Sequence, residues 1–136
     1  MIVREIMTPD PFAVKASSNV RELLRILAEA DIRHLPVVED GGLVGIISDR
    51  DLRGFGPTAA DALEQPDLAR QALRQPASSL MSTDVVTVNP ETEVGEAIDL
   101  MIEHRIGALP VVEPDSTKLV GIVSYVDALR AARELV

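Results

Sequence analysis

A chain of 136 residues is long enough to bury a real core, and 46% hydrophobic with 26% charged residues excludes intrinsic disorder. With no cysteine there is no disulfide framework, thiolate nucleophile or Cys-based metal site, and 2% aromatics leave Val, Ile, Leu, Ala and Met to build the interior. A formal charge of −9 argues against general nucleic-acid binding, which needs clustered Lys and Arg.

The charge is uneven along the chain. Residues 1–55 carry 7 basic and 9 acidic side chains (7 − 9 = −2), and 80–136 carry 4 and 10 (4 − 10 = −6). An anion site is therefore better served by the first half. Arg4 and Glu5 interrupt any early apolar run, and no stretch approaches the roughly 18 apolar residues of a membrane span. A soluble, cytoplasmic chain is expected.

In chain order, "PFAVKA" (Pro11 to Ala16) alternates as a short strand. A helix follows, capped by Asn19 with Glu22 three residues on; Val20, Leu23, Leu24 and Leu27 form its apolar face. "HLPVVE" and "LVGIIS" read as two strands joined by Asp40-Gly41-Gly42, a strong hairpin signal. A short helix begins at Ser48. Residues 56–79, with prolines at 57, 66 and 76, read as a linker carrying short helices, with Ala59 to Gln65 and Leu68 to Arg74 as candidates. The pattern then starts again: a strand at "VVTVN" (Val85 to Asn89), a helix on Val94, Ala97, Ile98 and Met101, a second pair of strands, and a helix from Ser124.

This is a true repeat. "IMTPDPFAV" from Ile6 lies 74 positions before "LMSTDVVTV" from Leu80, and the same offset superposes two identical "LPVVE" segments, Leu35 to Glu39 on Leu109 to Glu113. Two extra residues in the second connection shift the offset to 76, which pairs "LVGI" at Leu43 with "LVGI" at Leu119. The gap falls between two strands, where a loop tolerates it. The expected architecture is α+β: a β-α-β-β-α unit at 1–55, a linker at 56–79, and a second unit at 80–136. Two such units can cover each other's sheets about a pseudo-twofold axis.

Both copies end in Ser-x-x-Asp, Ser48/Asp51 and Ser124/Asp127. One reading is a capping box, in which hydroxyl and carboxylate satisfy helix amides reciprocally. The other is a ligand site, in which the hydroxyl donates to phosphate and the acceptor-only carboxylate takes the hydrogens of a ribose diol. The chain shows no phosphate-binding glycine loop, nucleophile elbow or H-E-x-x-H, and its histidines, His34 and His104, lie on different elements. Neither catalysis nor a metal site is expected.

Two units with "hPVV" before a turn and "hVGhhS-x-x-D" after it resemble the cystathionine-β-synthase-type (CBS) domain pair, the Bateman module. The resemblance covers all but the linker. It implies a non-catalytic regulatory module that binds AMP, ADP, ATP or S-adenosylmethionine in the cleft between repeats, needs no cofactor, forms a homodimer and controls an effector protein. It also implies that Ser48, Asp51, Ser124 and Asp127 contact ribose or phosphate. Arg33 and His34 stand where family members carry basic residues facing phosphates. From the residues themselves, Arg50 and Arg53 are candidates for the same anion site, with simple exposure on a short helix as the alternative reading. Adenine is expected against Pro11, Phe12, Val85 and Val86 at the first strands and Ile46 and Ile122 on the last. The second copy has Gly107 and Ala108 where the first has Arg33 and His34, so the two sites are not equivalent. Tyr125, the only tyrosine, is read first as a packing or interface residue. The alternative function is a constitutive dimerisation or interaction scaffold whose ligand sites have decayed.

Overall fold

The computed structural model describes residues 1–53 and 63–136. A 3-10 turn, Val3–Glu5, leads into strand β1 (Thr8–Pro9), followed by helix α1 (Val20–Ala30), strands β2 (His34–Glu39) and β3 (Gly42–Ser48), and helix α2 (Asp49–Leu52). Helix α3 (Pro66–Arg74) and a second 3-10 turn (Ala77–Ser79) precede α4 (Val94–His104), β4 (Ala108–Val112), β5 (Leu119–Ser124) and α5 (Tyr125–Arg133). Strands β2 and β3 form one sheet; the other has the order β1-β5-β4. This is the expected α+β architecture with its helix–hairpin–helix written twice.

Local chemistry explains the elements. Asn19 caps α1, its Oδ1 accepting the Glu22 N–H at 2.9 Å. The predicted apolar face is the one buried: Val20, Leu23 and Leu27 lie in the core, with Leu24 packed partly against it. The two helices end alike, with Asp31 (φ 52°) and Arg105 (φ 54°) in the left-handed conformation at equivalent positions. Between β2 and β3, Asp40 (φ 52°) and Gly41 (φ 80°) both take positive φ, as a tight two-residue hairpin turn requires. Candidate helix Leu68 to Arg74 is present and starts at Pro66, where a proline in the first turn costs no hydrogen bond. Candidate helix Ala59 to Gln65 falls mostly outside the described residues.

The two predicted first strands are shorter than their alternation suggests. Val14 alone bridges Val37, donating to Pro36 O at 3.0 Å and accepting from Val38 N at 2.8 Å. Val88 does the same against Val111. Phe12, Ala13 and Lys15 flank Val14 in exposed positions, and the Ala16 N–H donates to the Glu39 side chain at 3.0 Å in place of a ladder carbonyl.

By compactness the chain forms two units that do not follow the order of the repeats. One contains Met1–Pro11, Asp40–Leu43 and Asp84–Val136; the other contains Phe12–Glu39 and Val44–Thr83. Each has its own core. In the first, Val3 is fully buried with Val88, Ala97, Met101, Leu109, Val111 and Val123. In the other, Ala77 joins Val20, Leu23, Leu35, Val37, Ile47 and Leu52. The segment before each repeat thus completes the core of the opposite repeat. Val3 N–H donates to Thr92 O at 2.8 Å, and β1 pairs Thr8 with Ile122 and Pro9 with Gly121. Ala77 N–H donates to Ser18 O at 2.7 Å, and Ser82 exchanges both backbone hydrogen bonds with Ile46 at 3.0 Å.

Glycine makes these crossings possible. A Cβ on Gly121 would meet Met7 Sδ at 2.6 Å and Thr8 O at 3.1 Å; on Gly45 it would meet Met81 Sδ at 2.6 Å and Ser82 O at 3.1 Å. The thioether can yield, but the carbonyl is held by its ladder. Gly45→Ala and Gly121→Ala are each expected to destabilise the fold by about 1–3 kcal/mol, as overpacking does. Gly95→Ala, at an exposed turn of α4 with nothing within 4 Å, should be neutral or stabilising. Urea denaturation of the three variants checks the contrast.

Candidate functional site

The ends of β3 and β5 are built identically. Ser48 is extended (φ −107°, ψ 163°) as the N-cap of α2, and Ser124 (φ −116°, ψ 166°) is the N-cap of α5. Asp51 N–H and Asp127 N–H each donate to their serine Oγ at 3.3 Å. In return Asp51 Oδ2 and Asp127 Oδ2 each accept the serine N–H at 2.8 Å. Ser124 also donates its hydroxyl to Asp127 Oδ2 at 3.1 Å. The capping box read in the sequence is therefore fully formed in both copies. Among the described residues, Oδ1 of either aspartate takes no hydrogen bond. Both aspartates are half-buried, and each is held in a fixed position by its bonded Oδ2.

Around the first cap, basic groups gather. Asp49 N–H donates to Arg33 O at 2.9 Å, which ties the entry of β2 to the start of α2. Arg33 Nη1 and Arg53 Nη2 each lie 3.8 Å from Asp49 Oδ2, and both arginine side chains are largely exposed. Arg50 is exposed on the same short helix. His34 is half-buried at the start of β2, where burial chiefly, and the Arg33 charge in addition, push its pKa below the ordinary 6.5 against the pull of Asp49 and Asp51. It stands at neutral pH as an uncharged imidazole. Asp49 was not singled out in the sequence; its i,i+4 spacing to Arg53 was the available signal.

The second cap lacks this surround. Tyr125 N–H donates to Gly107 O at 3.0 Å, the counterpart of the Asp49–Arg33 bond, but the residues there are Gly107, Ala108, Tyr125 and Val126. Ala108 faces Ser124 across the β4–β5 pair. Tyr125 is 51% exposed, so it contributes little to the core. Arg130 lies six residues beyond Ser124, about 9 Å along the helix axis, and is exposed.

The residues expected to hold adenine are spread over both units. Pro11, Val85, Val86 and Ile122 belong to the unit with Val3, and Phe12 and Ile46 to the other. Phe12 is 62% exposed, unusual for a phenylalanine without a partner, whereas Ile46, Val85, Val86 and Ile122 are half-buried. Among the described residues no group of three His, Cys, Asp or Glu side chains is placed to hold a metal ion, and no helix is long and apolar enough to cross a membrane.

The depressed His34 pKa makes stability depend on pH with a definite sign. The unfolded chain protonates this imidazole near pH 6.5 while the folded chain resists, so the unfolded state binds more protons below that pH. The contribution is fully present above 6.5 and is lost as the pH falls through the folded value. Thermal midpoints measured from pH 8 to 5 should fall more steeply for the wild type than for His34→Gln.

The geometry has clear relatives. The CBS domain family model matches residues 3–56 and again 77–134. CBS domain-containing protein YhcV of Bacillus subtilis (strain 168) is 33% identical over 125 residues, covering 92% of this chain and 81% of that protein. The crystal structure of Arabidopsis thaliana CBSX2 in complex with AMP covers 98% of this chain and 97% of its own, at 32% identity and a TM-score of 0.80. The CBS domain pair of protein MJ0100 in complex with 5-methylthioadenosine and S-adenosyl-L-methionine covers 100% of this chain and 98% of its own, at 28% identity and a TM-score of 0.78. With both repeats matched in order and each closed by the same serine–aspartate cap, the chain belongs to the CBS-domain family as a tandem pair.

Proposed function

We propose that this CBS pair is a non-catalytic regulatory module that binds an adenosine-containing ligand, AMP, ADP, ATP or S-adenosylmethionine, and passes its occupancy to a separate effector protein. The observation that carries the reading is the duplicated cap, in which one oxygen of a half-buried aspartate holds the serine amide while the other takes no hydrogen bond among the described residues. That oxygen suits a ribose hydroxyl, an O–H donor in search of an acceptor. Arg33, Arg50 and neutral His34 supply phosphate donors in the first half only, so a phosphorylated ligand is assigned to Ser48 and Asp51. Pro11, Phe12, Ile46, Val85, Val86 and Ile122 offer apolar surface to the base. The AMP held by CBSX2 and the adenosyl ligands held by MJ0100 support this chemistry. The protein acts as a cytoplasmic homodimer in this reading, and a bound ligand shifts its conformational balance.

A second reading has its own support. Both caps are complete without a ligand, and Gly107 and Ala108 strip the second half of donors. A scaffold that no longer binds anything would look the same there.

Thermal shift against AMP, ADP, ATP and S-adenosylmethionine separates the two. At 100 times its dissociation constant a ligand adds about 2.7 kcal/mol. Flat curves throughout would favour the scaffold. If a ligand registers, Asp51→Ala should abolish its shift while Asp127→Ala leaves a nucleotide's shift intact, each variant losing about 1 kcal/mol of intrinsic stability with its half of the capping box. Retention in both variants would overturn the site assignment.

A further inference from the structure

The contact between Asp49 and the two arginines has an odd geometry. A committed arginine–carboxylate pair closes to roughly 2.7–2.9 Å and is often two-pronged. Here one oxygen, Asp49 Oδ2, stands 3.8 Å from Arg33 Nη1 and 3.8 Å from Arg53 Nη2. The carboxylate sits near both guanidiniums and fully engages neither. Its position is not accidental, because the Asp49 N–H donates to Arg33 O at 2.9 Å and Asp49 lies one turn before Arg53. The two arginines are 72% and 74% exposed, so their pairing with Asp49 contributes little to the fold.

A phosphate group meeting both guanidiniums would find this carboxylate already between them. It carries the same sign of charge and is a weaker match, offering two oxygens on a short stem where a phosphate offers three. We propose that Asp49 is an internal competitor for the phosphate of the ligand, held against Arg33 and Arg53 and displaced when a phosphorylated ligand binds. This rests on the adenosine-ligand reading above and adds to it a residue that sets affinity for the phosphate alone. The device belongs to the first half. At the three matching positions the second copy has Tyr125, Gly107 and Leu129, so carboxylate and arginines are absent together.

The test is isothermal titration of AMP and adenosine into wild type and Asp49→Asn at pH 7.5, with Asp49→Ser in reserve should the first variant fold poorly. A parallel arm reads the thermal shift caused by pyrophosphate against each protein's own baseline. Removing one like charge close to the phosphate should tighten AMP about fivefold or more and leave adenosine unchanged. Adding Arg33→Gln to Asp49→Asn should cancel the gain. Unchanged or weaker AMP binding overturns the proposal, as does an equal gain for adenosine. If no variant binds AMP or adenosine, the adenosine reading falls by itself. The pyrophosphate arm then decides: a larger shift in Asp49→Asn than in wild type sustains the competitor, and an equal or smaller one removes it.

Discussion

Two hydrogen bonds between a serine and an aspartate three residues later set the terms for everything else at this site. The serine hydroxyl satisfies an amide at the start of the helix, and the aspartate returns to satisfy the serine's own amide. The strand can then turn into the helix with two of its exposed amides satisfied by the box itself and the first helical amide satisfied by Arg33 O or Gly107 O. The same reciprocity immobilises the aspartate. A free carboxylate would lose rotamer freedom on meeting a ligand; this one has already lost it in folding, to an interaction that stabilises the helix. The cap and the proposed ligand contact call on the same fixed geometry, so the two readings of Ser-x-x-Asp are compatible.

Duplication then permits divergence. The caps are the same to a tenth of an ångström in their paired bonds, but their surroundings share little. In the first copy five charged or titratable residues lie at the entry to β2 and on or beside α2: Arg33, His34, Asp49, Arg50 and Arg53. In the second, Gly107, Ala108, Tyr125, Val126 and Leu129 take those places. None of these positions is in a core where packing would resist change, apart from buried Ala108. The backbone supplies the frame twice and the side chains make the halves chemically distinct.

Much of this was legible in the sequence because it is local. Helical period marked Val20, Leu23 and Leu27 as a buried face, Asp40-Gly41 specified the hairpin, and Ser-x-x-Asp specified the caps. What period and turn chemistry could not show was non-local. Nothing in "IMTPD" says that it pairs with a strand more than 100 residues away, and alternation over Pro11 to Ala16 overstated a strand that holds at one residue, Val14. The glycine of "LVGI" was visible in both copies, but its role depends on a partner segment that only the fold brings near. Asp49 is obscured for a related reason: its i,i+4 spacing to Arg53 is local, but its approach to Arg33 exists only once the strand and helix ends meet.

The exchanged segments have a consequence for how the protein is made. Val3 belongs to a core whose other members run from Val88 to Val123. A ribosome adding about 5–20 residues per second leaves Val3 without that core for several seconds or more. The opposite core spans Val14 to Ala77 and is complete far sooner. The half of the molecule that carries the basic cluster can therefore close early in synthesis, while the earliest residues wait for the latest ones.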